Sequence, residues 1–203
     1  MFKNLKIRMK LLVAFGIVLL LTALLSVYSI LQLRKASDNL TSFVNGSVAA
    51  DDAVKACRIS TFIAAKDMRD MIIAGKVDSE NLQTIKENEE NIRMNLERLN
   101  ELGILDKQQV AEFEASLTEW MGVAENIIAR LESGDNMGAA EMVRTECTPL
   151  LDQVISEINA LITETVNIRS NTVEESVKTT NMSKIILLVV TVIAIILAMI
   201  ICA

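Results

Sequence analysis

After Pro149 the chain contains neither Gly nor Pro, so nothing local forces a helix to stop before its end. An imperfect coiled-coil seam runs through Leu151, Val154, Ile158, Leu161, Thr165, Ile168, Thr172 and Ser176. Its early members are apolar and its late ones are diluted by hydroxyls. From Ile185 to Ala203 the pattern becomes an apolar run relieved only by Thr191, about 19 residues and enough to cross a bilayer's hydrocarbon core. A rod that starts in water and ends in lipid can carry a displacement across a membrane.

A second apolar run, Leu11 to Leu31, has about 21 residues and is relieved only by Gly16, Thr22, Ser26, Tyr28 and Ser29. It is long for a cleaved signal peptide and shows no clear small-x-small cleavage site, so it reads as an uncleaved anchor. Lys3, Lys6, Arg8 and Lys10 precede it with no acid among them, which keeps the N-terminus cytoplasmic despite Arg34 and Lys35 beyond the run. The expected organisation is a basic lead (1–10), a first transmembrane helix (11–31), an extracytoplasmic domain (32–183) and a second transmembrane helix (184–203). Both chain ends are then cytoplasmic.

The domain between the spans is expected to be all-α, because the 203-residue chain has one Pro, seven Gly and a helix-favouring composition. Aromatics are only 3%, so the core must come from Leu, Ile, Val, Met and Ala. Every acidic residue lies between Asp38 and Glu175, which makes the middle strongly acidic and disfavours nucleic acid as a partner. The absence of His excludes His-containing di-iron bundles, c-type haem attachment and His-based triads. No metal site, cofactor or nucleophile–base pair is indicated, and an enzyme is disfavoured. Cys57, Cys147 and Cys202 have no CxxC spacing, and the first two fall at different heights.

Four helical patterns fill the middle. The first runs from Gln32 to Gly75, with Gly46 as its only breaker. The second starts at Asp78 or Ser79 and ends at Gly103, with Asn88 or Glu89 as a polar layer. The third is capped by Asp106, with Gln109 as a capping-box partner, and carries Val110, Phe113, Leu117, Trp120, Ala124, Ile127 and Leu131 on one stripe. After Ser133-Gly134-Asp135 the pattern resumes at about Met137, and Pro149 either kinks it or sits at N1 behind a Thr148 N-cap. The outer helices reach about 65 Å and the middle two only about 38 Å. This predicts an up-down-up-down four-helix bundle on a two-helix stalk, with residue i of the first helix level with about residue 215 minus i of the last.

This layout, together with Gly134-Asp135-Asn136-Met137-Gly138-Ala139-Ala140 and then Pro149-Leu150-Leu151-Asp152, resembles the N-terminal half of bacterial methyl-accepting chemotaxis proteins. The resemblance implies a homodimeric receptor of the bacterial inner membrane that binds a small molecule outside and shifts its last helix slightly. Its output parts, through which cytoplasmic signalling proteins would be reached, are expected beyond Ala203. A histidine kinase or a cyclic-dinucleotide enzyme could follow the same sensor, and a structural anchored bundle without a ligand is the reading from another class.

Arg58 and Arg69 are eleven residues apart, about three turns, and share a helix face, with Thr61 and Ala65 between them. Arg69 is level with Glu146, with Thr145 and Thr148 nearby. Arginine suits a carboxylate because its planar fork donates two hydrogen bonds at once. The resemblance places a ligand at the dimer interface between first helices, so Arg69, Arg58, Thr61, Thr145 and Thr148 are the candidate binding residues. Solvated arginines beside Asp67, Asp70 and Glu146 are the plain alternative. Met68, Met71, Met137 and Met142 read mainly as distal core filler.

Overall fold

The computed structural model describes residues 7–202; Lys3 and Lys6 of the basic lead lie outside them. The described residues are helical apart from short turns: α1 (Ile7–Ser42), a π-helical segment (Phe43–Val48), α2 (Ala49–Ala74), α3 (Ser79–Leu102), α4 (Lys107–Glu132), α5 (Asn136–Met142), a second π-helical segment (Val143–Cys147) and α6 (Thr148–Cys202). The chain divides into two compact units. One holds the residues up to Ser42 and from Asn171 onward, and the other spans Phe43–Ser170.

In the first unit two helical stretches contain windows of mean hydropathy 2.1 and 2.0, long and apolar enough to cross a membrane. Their large apolar side chains stand open, Leu12 and Leu188 among them. That arrangement is unfavourable in water and suited to lipid.

The second unit is a four-helix bundle of α2, α3, α4 and the α5–α6 strand of helix. Phe113, Leu117 and Trp120 of α4 are buried with Ile92 and Leu99 of α3 and with Val154, Ile158 and Leu161 of α6. Burying such a side chain contributes about 1.5–3 kcal/mol. The whole α4 stripe expected from periodicity is buried. Helix α2 turns Ala50, Ala53, Cys57 and Ala64 inward, and these small side chains let α3 approach closely. The Cys57 thiol reaches the Ile92 carbonyl of α3, with Sγ 3.8 Å from the oxygen. Asn88, not Glu89, is the buried polar layer of α3, and its amide donates to the Thr84 carbonyl.

Side-chain caps set the helix starts. Asp78 accepts from the backbone of Glu80 and Asn81, Asp106 from that of Gln108 and Gln109, and Asp135 from that of Gly138. The capping box at Asp106 is not closed by Gln109. The Asp106 backbone N–H donates instead to Glu164 Oε1 of α6, at 2.9 Å, tying the α3–α4 turn to the last helix.

Pro149 does not begin the last helix, since Thr148 precedes it there. The turn before it widens into the Val143–Cys147 π segment, where the Thr148 N–H reaches the Val143 carbonyl five residues back. A proline has no N–H to offer, and its ring crowds the carbonyl four residues back; the wider turn removes both conflicts. Thr148 is therefore inside the helix rather than an N-cap, and its hydroxyl donates to the same Val143 carbonyl at 2.8 Å.

Two glycines should respond to alanine with opposite signs. Gly75 closes α2 with φ +66°, and a Cβ there would lie 3.0 Å from the Asn136 amide nitrogen. Gly75→Ala should therefore destabilise by about 1–2 kcal/mol. Gly122 lies inside α4 with open space around it, and Gly122→Ala should stabilise by about 0.5–1 kcal/mol. Denaturant unfolding of the two variants checks this, and equal signs would contradict it.

Candidate functional site

The bundle leaves one face of α2 open, and the candidate arginines lie on it. Arg58 and Arg69 are both exposed, with Ile59, Phe62, Ile63, Lys66 and Ile73 on the same face. The Arg58 guanidinium sits over the Phe62 ring, 5.7 Å from its centroid. Two of the acids that could have neutralised the arginines are engaged elsewhere. Lys66 holds Asp67 and Asp70, each at 2.9 Å. Among the described residues no carboxylate lies within ion-pair distance of Arg58 or Arg69.

Arg69 is close to the start of the last helix, as the height rule predicts for a residue opposite Glu146. Burial pushes the Cys147 thiol up from its ordinary pKa, while the Trp120 indole and the Arg69 charge oppose that shift. The Trp120 N–H thus faces the sulfur, yet it makes no hydrogen bond of ordinary geometry. Glu146, Thr145 and Thr148 are exposed at the same end. Both threonine hydroxyls donate to their own helix, Thr145 to the Glu141 carbonyl at 2.9 Å and Thr148 to Val143. Their lone pairs remain open as acceptors, which suits an ammonium group better than a carboxylate.

Thr61 does not belong to this surface. It is fully buried, and its hydroxyl donates to the Cys57 carbonyl at 2.8 Å. At 100° per residue, Thr61 stands roughly 60° around the helix from Arg58, past the edge where α2 meets its neighbours. Ala65 is buried on the same side. The methionines also divide: Met68 and Met71 are core, whereas Met137 is exposed.

A shallow groove of about 210 Å³ lies elsewhere, between α3 and α4, floored by Leu82, Ile85 and Ile128. Glu89, Glu125 and Glu132 line it against Lys86 alone. Burial, and then repulsion from Glu125, raises the Glu89 carboxyl above its ordinary pKa. Such a rim repels a carboxylate. Among the described residues no group of three or more His, Cys, Asp or Glu is placed to hold a metal ion.

A family model described as a four helix bundle sensory module for signal transduction matches residues 4–181. The chain belongs to that family. No curated protein and no solved structure matches it. For a sensory module, two helices able to cross a membrane are the expected setting, and this is a membrane protein with a sensory bundle.

The most heavily bonded polar group of the bundle was not singled out by sequence reasoning. Asp51 is buried near the base of α2, where Lys55 Nζ and Arg169 Nη1 each lie 2.7 Å from Oδ2 and the Thr165 hydroxyl lies 3.1 Å from Oδ1. Burial works against its ionisation, but the bonds from Lys55 and Thr165 and the charges of Lys55 and Arg169 outweigh it. Asp51 therefore titrates below its ordinary value. A signal did exist. Asp51 interrupts the inward run Ala50, Ala53, Val54 and Cys57, and the height rule places it opposite Glu164, next to Thr165.

Proposed function

We propose that this sensory module is the input part of a chemotaxis-type receptor of the bacterial inner membrane, binding a small carboxylate such as an amino acid outside the cell. The observation that carries the reading is the open α2 face, where two arginines without carboxylate partners stand among exposed apolar side chains. Guanidinium groups in that state match a carboxylate ligand. Ile59, Phe62, Ile63 and Ile73 are a larger apolar exposure than one helix needs, and a second copy of the chain covers them best. The homodimer then brings two α2 helices together, with Arg69 near the top of both and Thr145 and Thr148 beside it. Binding displaces α6 along its axis, and α6 runs unbroken from Thr148 to Cys202 to carry the motion onward.

One set of single-cysteine variants tests dimer and topology together. Cys202 is replaced by Ser throughout, and the native Cys57 and Cys147 are buried and leave the background low. Phe62→Cys should cross-link between subunits under mild oxidation, and Arg93→Cys on α3 should not. Lys76→Cys should react with a membrane-impermeant thiol reagent added outside intact cells. Cross-linking at Arg93 rather than Phe62, or labelling of Lys76→Cys only after lysis, would remove this reading.

A further inference from the structure

We propose that Asp51, Thr165 and Arg169 form a releasable latch that fixes the register of α6 against α2. The inference rests on the reading of α6 as the moving element, and it names the contact that sets its resting position.

Three groups meet at the latch, and each has a second partner if α6 moves. Asp51 also accepts from Lys55, one turn along its own helix, so the pair travels with α2 and the carboxylate keeps a cation. The Thr165 hydroxyl has one proton and two acceptors in reach, Asp51 Oδ1 at 3.1 Å and the Ile162 carbonyl of its own helix at 2.8 Å. Losing Asp51 leaves it bonded within α6. Arg169 is 39% exposed at its side chain, so its guanidinium can return to water. A buried ion pair whose rupture strands a charge is a rigid lock, because the stranded group stays unsolvated. Here rupture strands no charge, so the locked and released registers can lie close in free energy.

The two α6 contacts also differ in tolerance. Thr165 has a single short side-chain torsion and meets Asp51 only near the present register. The Arg169 stem is long enough to follow a displacement of an ångström or two while keeping its charge on Asp51. A small shift therefore breaks the Thr165 bond first, and a shift of a full turn toward the C-terminus of α6, about 5.4 Å, brings Leu161 toward the Asp51 carboxylate and is opposed. The latch thus permits small displacements of the last helix and resists large ones toward its C-terminus. Both Thr165 and Asp51 are almost completely buried, so ligands and solvent do not compete for the contact.

The test uses the full chain in lipid nanodiscs without any ligand. Spin labels are placed at Asp52→Cys and Val166→Cys, both exposed, with Cys202 replaced by Ser and unlabelled chain added in excess so that only pairs within one chain are read. The parent should give one narrow distance. Asp51→Asn, Arg169→Gln and Thr165→Val should each add a second population displaced by an ångström or two or broaden the first, and Arg169→Lys should restore the narrow distance. If Asp51→Asn does not fold, Thr165→Val and Arg169→Gln decide, since neither leaves a charge buried without a partner. Parent-like distributions for both of those variants would overturn the latch. That failure would leave the binding reading untouched, because no ligand enters the measurement.

Discussion

Trp120→Ala should cost the bundle about 3–5 kcal/mol, the range for removing a large aromatic side chain from a packed core. Trp120 is 1% exposed on the inward stripe of α4, between Leu117 and Ala124. For a domain of this size the loss corresponds to a fall of about 10–20 °C in Tm. Trp120→Phe should cost much less than the alanine change. It keeps most of the apolar volume and removes an indole N–H that is buried without a hydrogen-bond partner. Phe113→Ala, fully buried two stripe positions away, should match Trp120→Ala within about 1–2 kcal/mol. Thermal unfolding followed by circular dichroism reads all three. A drop of only a degree or two for both alanine variants would mean that α4 does not present this stripe to the core.

Most of the fold was legible because it is written in local chemistry. Asp78, Asp106 and Asp135 start helices, and Gly75 and Gly103 end them in left-handed conformations. Periodicity of 3.6 residues placed the α4 stripe correctly, since one face of that helix is buried and the other wet. The π segments were not legible. Val143–Cys147 is a response of backbone geometry to Pro149, and composition has no pattern for a turn one residue wider. The binding side was partly legible. Helix arithmetic put Arg58 and Arg69 on one open face, but Thr61 failed because the boundary between buried and open depends on where neighbouring helices dock. Asp51 was missed for a related reason. Its partners Thr165 and Arg169 are more than a hundred positions away in sequence, and only antiparallel packing of α2 with α6 brings them together.

Arg69 should be the residue whose loss most weakens ligand binding. A bidentate guanidinium–carboxylate contact is charge-assisted, and its loss should cost about 2 kcal/mol or more, upwards of about 30-fold in affinity. Arg69 stands close to Cys147 and to the exposed end of the last helix, whereas Arg58 stacks on Phe62 about three turns nearer the base. Arg58→Ala should therefore have the smaller effect on affinity and a larger one on association of the two chains. A valid control arginine must hold nothing in place. Arg130 fails that condition, because it bonds the Asp135 cap at 2.7 Å and helps shape the α4–α5 turn. Arg98, exposed on α3 away from this face, meets it.

Calorimetric titration of the full chain in nanodiscs tests the account most directly. A panel of amino acids and small dicarboxylates is first screened by thermal shift, and the best stabiliser is then titrated into the parent, Arg69→Ala and Arg98→Ala. The account predicts saturable binding to the parent, a loss of about 30-fold or more in Arg69→Ala, and an unchanged affinity in Arg98→Ala. No stabilisation by any carboxylate, or equal small losses in the two variants, would contradict it.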